Sequence, residues 1–155
     1  MIQRVQSIWL LLATIALVLM LFLPIAAKET NSSESEIFTN GLHQTFATKG
    51  GKTLETHTFL PLLITNIAVA VMCFANIFNF RKRSLQKRLV IFTIAAIAGF
   101  AFWCSVYAKQ LPGGVDGAIF EVGAYMPALA ILFCVLAIFG INKDERLIRS
   151  AERLR

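Results

Sequence analysis

Eight consecutive positions, Arg81-Lys82-Arg83-Ser84-Leu85-Gln86-Lys87-Arg88, hold five cations, and an almost unbroken apolar run lies on either side of them. These runs, residues 59–80 and 89–108, each approach the roughly 20 residues that a helix needs to cross a hydrocarbon core about 30 Å thick. A chain built this way folds as a membrane hairpin with the cationic segment as its turn. Lys and Arg in short loops beside membrane helices stay in the cytoplasm, so the turn is expected to be cytoplasmic.

Of 155 residues, 57% are apolar, and the mean hydropathy of +0.68 is too high for a soluble chain of this length. Two further apolar runs, 5–27 and 121–141, bring the expected crossings to four. An outer loop over 28–58, the cytoplasmic loop 81–88, an outer turn over 109–120 and a cytoplasmic tail over 142–155 complete a single integral membrane domain, 1–155. The net charge of +6 follows that plan. Arg4, the five cations of the turn, Lys143, Arg146, Arg149, Arg153 and Arg155 share one side with Asp144, Glu145 and Glu152. Lys28, Lys49, Lys52 and Lys109 share the other with Glu29, Glu34, Glu36, Glu55, Asp116 and Glu121. The result, +8 inside against −2 outside, is a topology signal and an attraction to anionic lipid; no nucleic-acid partner is implied. Both termini are expected in the cytoplasm. Cys73, Cys104 and Cys134 all fall in apolar runs, without the spacing of a disulfide framework or a zinc site, and are expected as small packing residues.

The first run follows a short basic start, and Ile25-Ala26-Ala27 resembles a signal cleavage site. The run is longer than a signal core and Pro24 stands where a helix would end, so a retained crossing over 5–27 is expected. From Lys28 the chemistry changes to Thr, Ser, Gly and charge. Asn40-Gly41 and Gly50-Gly51 are dipeptides of two-residue hairpin turns, whose central residues need positive φ, and the flanking segments carry Thr and Phe in partial alternation. The expected fold class is therefore an all-α membrane protein, a four-transmembrane-helix bundle with a small extracytoplasmic β-hairpin or three-stranded meander between helices 1 and 2. A unit that small needs the helix ends to lean on. His43 and His57 lie in this loop without an acidic or thiol partner at ligand spacing, so no metal site is expected.

Polar side chains within apolar runs need partners, which turns them toward neighbouring helices. Gln3, Ser7 and Thr14 fall near one face of the first helix, and Asn66, Cys73 and Asn76 on one face of the second. Thr14, Asn66 and Asn76 are thus the expected polar groups of the bundle interior. In the third helix Ala95-x-x-x-Gly99 has a spacing that lets helices approach closely, and Trp103 with Tyr107 suits an interfacial belt. In the fourth, Gly123, Ala130 and Ala137 recur at sevens as a smooth packing face. Gly140 is expected to break that helix, and Asn142-x-x-Glu145, close to a capping box, to open a short amphipathic one. There Leu147, Ala151 and Leu154 share one face, and Arg146, Arg149 and Arg153 another.

Three stretches carry a family resemblance: Met1-Ile2-Gln3-Arg4-Val5-Gln6, Arg83-Ser84-Leu85-Gln86-Lys87-Arg88-Leu89, and the ending Lys143-Asp144-Glu145-Arg146-Leu147-Ile148-Arg149-Ser150-Ala151-Glu152-Arg153-Leu154-Arg155. They resemble a family of small four-span inner-membrane proteins from Bacteroidetes-type bacteria, catalogued as a domain of unknown function. The resemblance implies a multi-pass topology and the bacterial cytoplasmic (inner) membrane as its address; no activity or site comes with it. The long first loop also looks like the claudin-type plan, an analogy of fold alone.

Function classes narrow by elimination. No His lies in an apolar run and no Cys pair faces outward, so no enzyme activity, catalytic residue or cofactor is expected. A proton-coupled carrier needs a titratable group at depth, and only Glu121, at the outer lip of the fourth helix, comes near. The expected function is a non-catalytic accessory subunit or adaptor of a larger cytoplasmic-membrane complex. It would dock a protein partner or membrane lipids through Arg81, Lys82, Arg83, Lys87, Arg88, Arg146, Arg149, Arg153 and Arg155, or associate as a homo-oligomer. A small-molecule or ion transporter or channel working as an oligomer is the alternative.

Overall fold

A seven-residue rhythm runs through every helix of the computed structural model, which describes residues 3–30, 33–48, 51–81, 83–111 and 114–152. Buried positions of α1 (Gln3–Leu19) and the turn after it include Gln6, Leu10, Ala13, Leu17 and Met20; those of α2 (Leu60–Ile77) include Leu62, Asn66, Val69, Cys73 and Asn76. In α3 (Arg83–Ala108) the series is Gln86, Val90, Thr93, Ile97, Phe100 and Cys104. In α4 (Val122–Glu152) it is Gly123, Pro127, Ala130, Cys134, Ala137, Ile141 and Asp144. Steps alternating between three and four residues average 3.5, the repeat of a left-handed supercoil. α1 packs on α2 and α4, and α3 packs on the same two, so each helix has two antiparallel neighbours around a common axis.

The faces turned away from the axis are apolar too, with Ile8, Ile15, Ile64, Val71, Phe92, Phe102, Leu132 and Phe139 all exposed. A bundle in water would place polar residues there; apolar outer faces are compatible with a membrane protein. Among the described residues, three helical stretches are long and apolar enough to cross a membrane: Leu60–Ile77, Ser84–Ala108 and Val122–Leu147. The apolar part of α1, Val5–Leu19, is shorter. Ala95 and Gly99 lie on the exposed side of α3, and a Cβ on Gly99 would meet nothing within 4 Å, so their small-residue spacing brings no helices together within the chain.

The architecture is not the all-α bundle with a two- or three-stranded cap that the sequence predicts. Five strands, β1 (Ala26–Thr30), β2 (Ser33–Phe38), β3 (Gly41–Thr48), β4 (Gly51–Thr58) and β5 (Ile119–Phe120), form one antiparallel sheet in the order β4-β3-β2-β1-β5. The physical reason lies in residues 20–27. α1 stops at Leu19, and the apolar Ile25 and Ala26 are shielded by the sheet and helix ends, where Ile25 N donates to Ile37 O at 2.6 Å and Ala26 pairs with Ile37. Hydrophobicity that reads as the end of a crossing is the base of a sheet. β5 takes its register from β1, Ala26 opposite Phe120 and Ala27 opposite Ile119, a pairing between segments more than ninety positions apart that no local pattern announces.

The first hairpin turn is displaced by one residue. Phe38 pairs with Gly41, which leaves Thr39 and Asn40 as the turn and makes Gly41 the first residue of β3. Among the described residues positive φ occurs at Gly114 (71°) and Gly117 (76°), not at Asn40-Gly41. Gly41 is needed for space instead: a Cβ there would stand 2.3 Å from the His57 carbonyl oxygen across the β3–β4 pair. Gly50, the start of the second predicted turn, lies outside the described residues.

Sheet and bundle share a second core of Met20, Ile25, Ala26, Ile37, Leu42, Leu62, Phe100, Cys104 and Leu111. Backbone and side-chain bonds fasten it. Thr39 Oγ1 donates to Met20 O at 3.0 Å, Phe59 N to Asn40 O at 2.9 Å, Glu121 N to Ile25 O at 3.1 Å and Gly123 N to Pro24 O at 2.9 Å. These bonds tie the end of α1, the first hairpin turn and the starts of α2 and α4 together at this end.

Candidate functional site at the end opposite the sheet

α4 does not break at Gly140 but runs 31 residues to Glu152, about 46 Å at 1.5 Å per residue. The series of sevens through Gly123, Ala130 and Ala137 continues unbroken and arrives at Asp144, which is only 4% exposed. Gly140 serves packing. A Cβ added there would lie 3.1 Å from Gln6 Cγ, so the bare helix backbone lets the Gln6 side chain lie against α4, and its Nε2 donates to Asp144 Oδ2.

The other two helices contribute to the same end. Gln86 Nε2 of α3 donates to the Asn76 carbonyl of α2 at 3.3 Å, and both side chains are buried. Gln6, Asn76, Gln86 and Asp144 thus supply one buried polar side chain per helix. Further along the axis, Thr14 is buried with its hydroxyl donating to Leu10 O at 2.9 Å, and Thr93 bonds Leu89 O at 2.8 Å in the same i−4 manner. Asn66 is fully buried, and neither amide atom has a hydrogen-bond partner. Cys73 and Cys134 lie on the seam as well, Cys73 Sγ 3.6 Å from Leu10 O.

Above this polar layer the surface is cationic. Two adjoining depressions, about 600 and 370 Å³, flank Arg146. The first is lined by Phe139, Asn142, Lys143, Leu147 and Ser150 besides Arg146, and the second by Lys87, Asn142 and Glu145. Arg146 and Arg88 are exposed and Lys87 is half-buried. Arg81 lies in a 3-10 turn, Arg83 at the start of α3 and Arg149 in the last turns of α4. Lys82, Arg153 and Arg155 fall outside the described residues. The fold therefore brings Lys87 from one helix beside Arg146 from another, positions 59 apart in sequence.

The family model for DUF4293, a domain of unknown function, matches residues 2–154. The chain belongs to that family. No curated protein matches it. What this DUF4293 chain adds to its family description is a geometry, and part of it escapes sequence reading. Gln6, Gln86 and Asp144 belong to the interior, whereas sequence reasoning places Asp144 among the solvated charges of a tail. The signal was present: the spacing of seven that ends at Ala137 reaches Asp144 in one more step, and Gln86 opens the series Val90, Thr93, Ile97. Reading Gly140 as a helix breaker cuts that series one step early.

Proposed function

We propose that this chain is a non-catalytic integral membrane protein of the bacterial cytoplasmic membrane, an accessory subunit or adaptor that docks a protein partner at the end of the bundle opposite the sheet. In this reading all four helices cross, both termini are cytoplasmic and the sheet faces outward. The carrying observation is the continuity of α4. A helix of about 46 Å outruns a hydrocarbon core of about 30 Å by roughly three turns, so Lys143 and Arg146 stand at the membrane surface on a rigid extension instead of a hinged tail. Beside them Lys87 completes a cationic groove over an apolar floor of Phe139 and Leu147, a surface that complements an acidic segment with apolar anchors. Anionic headgroups would reinforce the same face.

Affinity purification in mild detergent tests it. A partner recovered with the wild-type chain is expected to be lost, or weakened at least tenfold, in the double variant Lys87→Glu, Arg146→Glu, and to be released by salt. Identical partner lists from the two proteins would end the adaptor reading. Orientation has its own check, because Leu85 is exposed while Cys73, Cys104 and Cys134 are buried. A Leu85→Cys chain should stay unlabelled by an impermeant maleimide in intact cells and react once they are opened; labelling from outside inverts the topology.

A further inference from the structure

Gln6, Asn76, Gln86 and Asp144 sit on the seams that face the bundle axis, and none is more than 5% exposed. Contacts place them at one level. Cys73 Sγ touches Leu10 O, and from that pair α1 runs back four residues to Gln6 while α2 runs on three to Asn76. The helices are antiparallel, so both steps go the same way, by about 6 and 4.5 Å. The Gln6 bond to Asp144 and the Gln86 bond to the Asn76 carbonyl bring α4 and α3 into that layer.

What remains there is an excess of acceptors. Asp144 Oδ1, Gln86 Oε1 and both side-chain atoms of Asn76 have no hydrogen-bond partner. Three of these four atoms are oxygens, one of them a carboxyl oxygen. Burying a carboxylate is costly without a positive charge or donors beside it, and burying an amide oxygen is costly without a donor or a cation. A proton on Asp144 shared with one amide oxygen, together with the Asn76 Nδ2 donor, is the competing way to satisfy these oxygens, and a dependence on the cation present separates it from a metal ion, which takes all three together. The charge count sets its valence, because one carboxylate among neutral amides balances a single positive charge, whereas tight Ca²⁺ sites draw on several carboxylates. We propose that this layer binds one monovalent alkali cation, Na⁺ or K⁺, through Asp144 Oδ1, Gln86 Oε1 and Asn76 Oδ1, with Gln6 holding the second carboxylate oxygen in place. The site locks all four helix ends to one ion.

The test uses the full-length chain in nanodiscs of zwitterionic lipid, at constant pH and ionic strength. Replacing choline by Na⁺ or K⁺ should raise the thermal midpoint by about 5 °C when the cation stands at roughly ten times its Kd, and the rise should continue with the logarithm of its concentration, through preferential binding to the folded state. Asp144→Asn should abolish that response, and Gln86→Leu, which removes one ligand oxygen, should weaken the apparent affinity about tenfold. Equilibrium binding of radiolabelled Na⁺, or of Rb⁺ as a K⁺ probe, should follow the same order. Coincident midpoints in all three salts with no saturable binding overturn the proposal. An undiminished response in Asp144→Asn overturns it equally, and if that variant does not fold, an unchanged affinity in Gln86→Leu does so.

Discussion

Gly123→Ala is expected to cost about 3 kcal/mol and to lower the midpoint of thermal unfolding by roughly 6–12 °C. The added Cβ would stand 2.5 Å from Pro24 O and 2.8 Å from Leu23 O, both backbone atoms that cannot rotate away. Relief requires the start of α4 to withdraw from residues 23–24. That movement breaks the Gly123 N to Pro24 O and Glu121 N to Ile25 O bonds, and with them the two-residue pairing of β5 on β1. The matched control is Gly99→Ala, in a helix and facing open space, which should be neutral or stabilising by up to about 1 kcal/mol through helix propensity. A fluorescence-detected thermal melt of the detergent-solubilised pair reads both. Equal midpoints for the two variants would mean that α4 does not meet residues 23–24 as described.

The second large effect has the opposite sign. Asn66→Leu should stabilise the chain by about 2 kcal/mol, a rise of roughly 4–8 °C in midpoint. Asn66 is inaccessible and both of its amide atoms lack partners, while Leu62 and Val69 on the same seam are fully or almost fully buried. In the unfolded chain the amide can find other donors and acceptors, so folding strips it of them without return. Leu replaces that loss with packing on an axis already lined by apolar side chains. A measured loss of stability above about 1 kcal/mol would show that the amide has a polar partner at that level. The polar layer of Asn76, Gln86 and Asp144 would then extend up the axis.

Much of the fold was legible because its causes are local. The runs that flank the cationic segment 81–88 read as helices long and apolar enough to cross a membrane from length and composition alone, and Asn66, Asn76 and Thr93 within them are buried. Less was legible where apolar residues serve two masters. Residues 20–27 satisfy the same hydropathy as the helix before them, yet the chain turns after Leu19 and the partner strand Ser33–Phe38 takes Ala26 and Ala27 into a sheet. Asp144 was hidden for a related reason: charge and a nearby glycine read locally as an exit to solvent, and only the α1 neighbour shows that Gly140 is there to admit Gln6.

The sequence by itself determined three apolar stretches long enough to cross a membrane and the inward seam of the fourth helix through Gly123, Ala130 and Ala137, because hydropathy and spacing act within one segment. Tertiary structure alone decided that the first apolar run divides into helix and strand, that Ile119–Phe120 completes a five-stranded sheet, and that Gln6 bonds Asp144 and Gln86 bonds the Asn76 carbonyl at one end of the bundle. Each of those outcomes depends on which distant segment arrives opposite, and pairing across the fold is set by the combined packing of all four helices and the sheet rather than by any window of the chain.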